Sequence, residues 1–214
     1  MATLAQLKAD IADSIDDTTG EYAPQIAKAI TKAIRYCERE TYYFNETRDI
    51  TFPTVNGQDW YGVADNANIP TLVHIDMVYC EDASGERDQI LRYRPADIEL
   101  LADNSASRGE PYAYAYFGQR IRIYPIPDAT PYIIRLQLAP YRLAALTADN
   151  QSNAWTTEAE DMIFARAKYI LAKDTLKDVS VATEALNDYM DQASALKAET
   201  SKRNGTGKII PTCF

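Results

Sequence analysis

The apolar positions Leu4, Leu7, Ile11 and Ile15 recur at steps of three and four, which predicts one helical face over residues 3–17. Thr3 suits the N-cap, and Thr18-Thr19-Gly20 closes the element. Pro24 predicts the opening of a second helix, where its missing N–H is no loss. Its stripe is Ile26, Ile30 and Ile34, widened by Ala23, Ala27, Ala33 and Cys37. Near Asn45 the period changes to two. Ile50 and Phe52 alternate with polar neighbours before Pro53 and Asn56-Gly57 turn the chain. Strands are predicted over Leu72 to Cys80 and Gln89 to Arg94, with a short helix from Pro95. Tyr112 to Phe117 and Arg120 to Tyr124, joined by Gly118-Gln119, read as a hairpin, and Ile134, Leu136 and Leu138 as a last strand. From Thr157, in capping-box spacing with Glu160, the period returns to helical. Asp178 or Ser180 can cap the final helix.

These elements predict an α+β fold that is mainly α. Residues 1–46 form an N-terminal helix pair and 141–200 a C-terminal helical hairpin, which together make a helical bundle. Residues 47–140 form an inserted antiparallel β region, and 201–214 an extended C-terminal tail. That tail loses periodicity, carries Lys202, Arg203 and Lys208, and ends Ile209-Ile210-Pro211-Thr212-Cys213-Phe214. It either folds back on its own core or docks on a partner, for example by adding a strand to a sheet edge.

Composition narrows the function classes. The chain has 214 residues and a net charge of −9, which argues against a surface built to grip nucleic acid. No run approaches the ~20 apolar residues of a membrane helix, and the start lacks the pattern of a secretory signal, so no membrane association is expected. Three cysteines, Cys37, Cys80 and Cys213, fit neither a disulfide framework nor a zinc site. Tyrosine is frequent at 15 residues, and its apolar ring with a polar tip suits subunit interfaces.

No catalytic constellation is legible. His74 is the only histidine, which leaves no two-histidine metal site. There is no GxSxG elbow and no phosphate-cradling loop, for Gly205-Thr206-Gly207-Lys208 lacks the preceding strand and following helix. No catalytic residue, metal or cofactor is expected. Carboxylates cluster at Glu158, Glu160 and Asp161 and along Asp10, Asp13, Asp16 and Asp17. They leave open a hydrolase using two acids, such as one that cleaves peptidoglycan. Tyr112, Tyr114 and Tyr116 alternate along one strand, and Arg120 and Arg122 line the next. Exposed, such a ribbon could stack bases or sugars, as a carbohydrate- or protein-binding module would. Buried, it is a cross-strand ladder.

Three stretches resemble the head-to-tail adaptor, or head completion, proteins of tailed bacteriophages. The first joins Thr3-Leu4-Ala5-Gln6-Leu7-Lys8-Ala9-Asp10-Ile11 with Ala29-Ile30-Thr31-Lys32-Ala33-Ile34-Arg35-Tyr36 and the exit Tyr42-Tyr43-Phe44-Asn45-Glu46. The second is Ile121-Arg122-Ile123-Tyr124-Pro125-Ile126-Pro127. The third is Trp155-Thr156-Thr157-Glu158, leading into the C-terminal helices and the apolar tail. The resemblance implies a structural virion protein at the head–tail junction, made in the bacterial cytoplasm and without enzymatic activity. It implies a closed ring, usually twelve-fold, between the portal protein and a downstream tail or nozzle protein. Genomic DNA would pass through without specific binding. Lys208, Ile209, Ile210, Pro211, Thr212, Cys213 and Phe214 would contact the portal. The tyrosine-rich β region would face the next tail component or a neighbouring subunit.

Overall fold

The structure, a computed structural model, describes residues 2–47, 49–102 and 107–205. The chain opens with helices α1 (Leu4–Asp13) and α2 (Ala23–Cys37). Strands follow: β1 (Glu46–Thr47), β2 (Ile50–Pro53), β3 (Trp60–Gly62), β4 (Met77–Glu81) and β5 (Arg87–Arg92). Helix α3 (Pro95–Ala102) leads to β6 (Ala113–Phe117), β7 (Arg120–Tyr124), β8 (Ile133–Gln137) and β9 (Ala139–Pro140). Helices α4 (Ala154–Thr157) and α5 (Glu160–Leu171), a π-helical turn (Ala172–Leu176) and α6 (Val179–Asn204) complete the described chain. It divides into two compact units: Asn45–Arg142 makes one, and the segments on either side make the other.

The helical unit is built from amphipathic stripes that bury one another. Thr3 starts α1 with a reciprocal cap, its hydroxyl accepting the Gln6 N–H at 3.3 Å while Gln6 Oε1 accepts the Thr3 N–H at 3.0 Å. Before α2, the Asp17 carboxylate accepts the N–H groups of Glu21 (3.0 Å) and Tyr22 (2.9 Å), and Pro24 lies in the first turn. Leu7, Ile11, Ile30, Ala33 and Cys37 are fully buried with Ile163, Ala167 and Leu171 of α5. Trp155 sits within this core, its ring edge-on to Phe44 at 4.9 Å and to Tyr42 at 6.0 Å. The cap of this region is Asn153, whose side chain accepts the Trp155 N–H, and not Thr157.

The β unit holds a seven-stranded sheet in the order β2-β8-β4-β5-β6-β7-β3. Its pairs are antiparallel except β5 with β6, which run parallel, Leu91 opposite Ala113 and Arg92 opposite Tyr114. Helix α3 is the reason. A parallel pair needs a crossover connection, and α3 carries the chain back to begin β6 in the direction of β5. The sheet also curls. Phe52 on one edge strand and Tyr61 on the other bring their rings to 5.1 Å. One face therefore closes on a core of Phe52, Tyr61, Val78, Tyr114, Ile123 and Leu136, while Ala113, Ala115 and Tyr124 on the other pack under Ile98 of α3.

The expectation of a mainly α fold, a helical bundle with an antiparallel β insertion, is therefore corrected. Six helices among the described residues stand beside a large, curled, mixed sheet. The strand expected over Leu72 to Cys80 is likewise shorter, Met77–Glu81. Leu72 makes only an isolated bridge to Tyr141, and the Ile75 carbonyl is taken by the side chains of Arg92 and Tyr114.

Candidate interaction surfaces

The hairpin of β6 and β7 sorts the tyrosine and arginine ribbon into different places. Tyr114 is 1% exposed, and its hydroxyl donates to the Ile75 carbonyl at 3.5 Å. Tyr116 is half-buried and donates to the Leu72 carbonyl at 2.8 Å. Tyr112, before the strand begins, is 50% exposed and meets the Tyr124 ring edge-on at 5.7 Å. Burial raises the hydroxyl pKa of all three. Arg120 and Arg122 lie together on β7, paired with Asp65 (3.1 Å) and Asp59 (2.9 Å). Their guanidinium carbons stand 5.7 and 5.3 Å from the Trp60 ring. Trp60 was not singled out from sequence. Its pairing opposite Arg122 is a register fact, invisible before β3 is known to add to β7.

The same unit exposes apolar side chains that sequence reasoning also missed. Leu91, Leu100 and Leu101 are exposed, beside Tyr112, which the sequence already offers as an interface residue; the Leu91 N–H bonds the Tyr112 carbonyl at 2.9 Å, and Leu101 follows the buried Ile98 by one turn of α3. Phe117 stands exposed at the hairpin tip. The missed signal was Leu100-Leu101 in a helix too short to bury two faces.

Two grooves on the helical unit are lined in part by tyrosine. One, of about 510 Å³, is lined by Tyr36, Arg39, Tyr189, Met190 and Lys197 among others. Beside Tyr36, the Arg166 guanidinium carbon lies 3.8 Å from that ring and 5.0 Å from each of Tyr169 and Tyr189, a cation held by three aromatic faces. The other groove, of about 380 Å³, lies where the π-helical turn meets α6. The Cys37 thiol, next to Tyr189 of the first groove, is pushed up to about 12 by burial, so it stays protonated and inert near neutral pH.

The carboxylates near Glu158 line a further depression of about 260 Å³. Glu158 accepts the Tyr43 hydroxyl at 2.6 Å, and Glu199 pairs with Arg203 at 2.6 Å. Burial first, then the charges of Asp10 and Asp161, raises the Glu160 carboxyl. Among the described residues, no group of three or more His, Cys, Asp or Glu is placed to hold a metal ion, and no helix is long and apolar enough to cross a membrane. Lys208, Ile209, Ile210, Pro211, Thr212, Cys213 and Phe214 lie outside the described residues.

Both units leave large apolar side chains exposed, among them Leu91, Leu100, Val179 and Met190. A family model described as SU10 adaptor protein matches residues 2–209, and the chain belongs to that family. It is therefore a phage adaptor protein, a structural component that meets other head or tail proteins in the virion. No curated protein matches the sequence.

Proposed function

We propose that this adaptor closes into a ring of twelve subunits between the portal protein and a downstream tail or nozzle protein, and forms part of the channel through which genomic DNA leaves the head. The observation that carries this reading is that both units leave large apolar side chains exposed: Leu91, Leu100 and Tyr112 on the β unit, and Val179 and Met190, which line separate grooves, on the helical unit. A ring is built from repeated heterologous contacts, so each subunit needs two unlike faces. The net charge of −9 suits a conduit, because clustered cations would hold phosphate and slow its passage. Tyr112, Arg120 and Arg122 serve a subunit or tail contact. Residues 208–214 dock on the portal.

A stop codon placed early in the gene tests the reading. Lysates examined by electron microscopy are expected to hold tailless or DNA-emptied heads. Complete, filled, tailed particles would overturn it. Deleting residues 208–214 is expected to abolish portal attachment while the circular dichroism spectrum stays that of the full chain. Normal attachment by the shortened protein refutes the portal-docking part alone.

A further inference from the structure

Two side chains share the highest exposure among the large apolar residues described. Val179 and Leu100 are each 79% exposed. They belong to surfaces of opposite shape and chemistry.

Val179 stands at the lip of the groove of about 380 Å³, whose floor is Tyr169, Ala182 and Leu186 and whose rim carries Lys173 and Lys177. Its size falls at the lower end of the roughly 300–1,000 Å³ of binding pockets. The Lys173 amine lies 5.6 Å from the Tyr169 ring, and neither lysine makes an ion pair with a described residue. Asp178 also lines the groove, but its carboxylate is committed to the start of α6, accepting the N–H groups of Ser180 (2.9 Å) and Val181 (3.1 Å). The groove is thus apolar within and positive at its edge.

Helix α3 is its counterpart. It buries Ile98 and exposes Glu99, Leu100 and Leu101. Glu99 has no ion-pair partner among the described residues, because the α3 pair between Arg94 and Asp97 (2.8 Å) leaves it out. An exposed apolar pair beside an unpaired acid fits a positive, apolar groove in both respects. Another acidic segment of the chain fits less well. Asp10, Asp13 and Asp16 offer charge, but the large apolar residues beside them, Ile11 and Ile15, belong to their own helical core.

We propose that α3 of one copy seats in the lysine-rimmed groove of the next, with Leu100 and Leu101 on the apolar floor and Glu99 facing Lys173 and Lys177. Each chain carries one knob and one groove, so the contact is head-to-tail and repeats around a ring. The proposal rests on the ring reading and supplies its subunit interface.

A photoreactive phenylalanine analogue at position 100 tests it in assembled particles. The full-length variant is supplied to a phage whose own gene carries the stop codon, and purified virions are irradiated. The expected product is a dimer of this chain whose cross-linked peptide falls within residues 169–186. An adduct within one chain, an adduct elsewhere on a second copy, an adduct only with another virion protein, or no adduct would each overturn the interface. Tailed particle yield is counted in the same lysates, so failure of the adaptor role shows separately. As a second arm, Lys173→Glu with Lys177→Glu is expected to lower infectious yield about tenfold or more. Adding Glu99→Lys is expected to restore it. Yield unchanged by the first pair, or unrestored by the third substitution, contradicts the pairing.

Discussion

Replacing Trp155 with alanine is expected to destabilise the helical unit by about 3–5 kcal/mol. Trp155 is fully buried, edge-on to the stacked pair of Tyr42 and Phe44. A tryptophan buries up to roughly 250 Å², and at ~25 cal/mol per Å² its transfer contributes about 6 kcal/mol. That figure refers to an extended unfolded chain, and a compact one lowers it by roughly 10–40%. The indole N–H works against this gain. Nε1 has no hydrogen-bond partner among the described residues, and burying it unpaired costs about 1–3 kcal/mol. Trp155→Phe keeps a ring against Phe44 and removes that N–H, so its net cost is expected to be about 1 kcal/mol or less. Urea unfolding of the three proteins, followed by circular dichroism at 222 nm, separates the two effects. A phenylalanine variant as weak as the alanine one would refute the reasoning about the N–H. An alanine variant within about 1 kcal/mol of the parent would refute the account of the core.

The Tyr61 hydroxyl accepts the Val55 N–H and donates to the Gln58 carbonyl, both at 2.9 Å, so Tyr61→Phe is expected to cost about 1–3 kcal/mol in urea unfolding. An unchanged midpoint would show that water replaces those bonds. Asp178→Ala is expected to cost about 1 kcal/mol and to speed amide exchange in the first turn of α6. Equal exchange rates there count against the cap. Four carboxyls are held below the usual range: Asp17 by the Tyr22 N–H, Asp82 by the Ser84 hydroxyl, Asp97 by the Arg94 guanidinium and Asp128 by the Thr130 N–H. Their stabilisation is complete above the ordinary carboxylate range and is lost as pH falls through their folded values. Glu160, raised by burial, acts in the opposite sense. The urea midpoint is expected to fall between about pH 5 and pH 3, and a rise over that interval would show that Glu160 outweighs the four.

Much of the helical unit was legible because its cues are local. Thr3 with Gln6, Pro24 and Asp178 each act within a turn of their own position, and the stripe from Ile26 to Cys37 is a property of one helix. The hairpin from Ala113 to Tyr124 was legible for the same reason, with Gly118 and Gln119 both at positive φ in its turn. The mixed sheet was not. Alternation such as Val78 and Cys80 records a buried face and says nothing about whether the neighbour runs parallel. Pairing β5 with β6 and bringing β3 against β7 depend on residues tens of positions apart. The same limit hid the surfaces. Tyr114 and Tyr116 share a face with Tyr112 in sequence, but the depth of each is set by how the sheet curls over Leu72 and Ile75. Leu100 and Val179 became conspicuous only when the structure left them uncovered.

The interruption of the helical unit by the β unit imposes an order on events during synthesis. Strands β1 to β9 lie in one continuous stretch, so the sheet can complete as soon as Arg142 has left the ribosome. Helices α1 and α2 have no such autonomy. The faces carried by Leu7, Ile11, Ile30 and Ala33 close against α5 and α6, and Leu196 of that core is translated 159 codons after Cys37. At roughly 5–20 residues per second, the wait is about 10–30 s. A β domain of this size folds in roughly milliseconds to seconds. The nascent chain therefore displays the apolar stripes of α1 and α2 without α5 and α6 for most of its time on the ribosome.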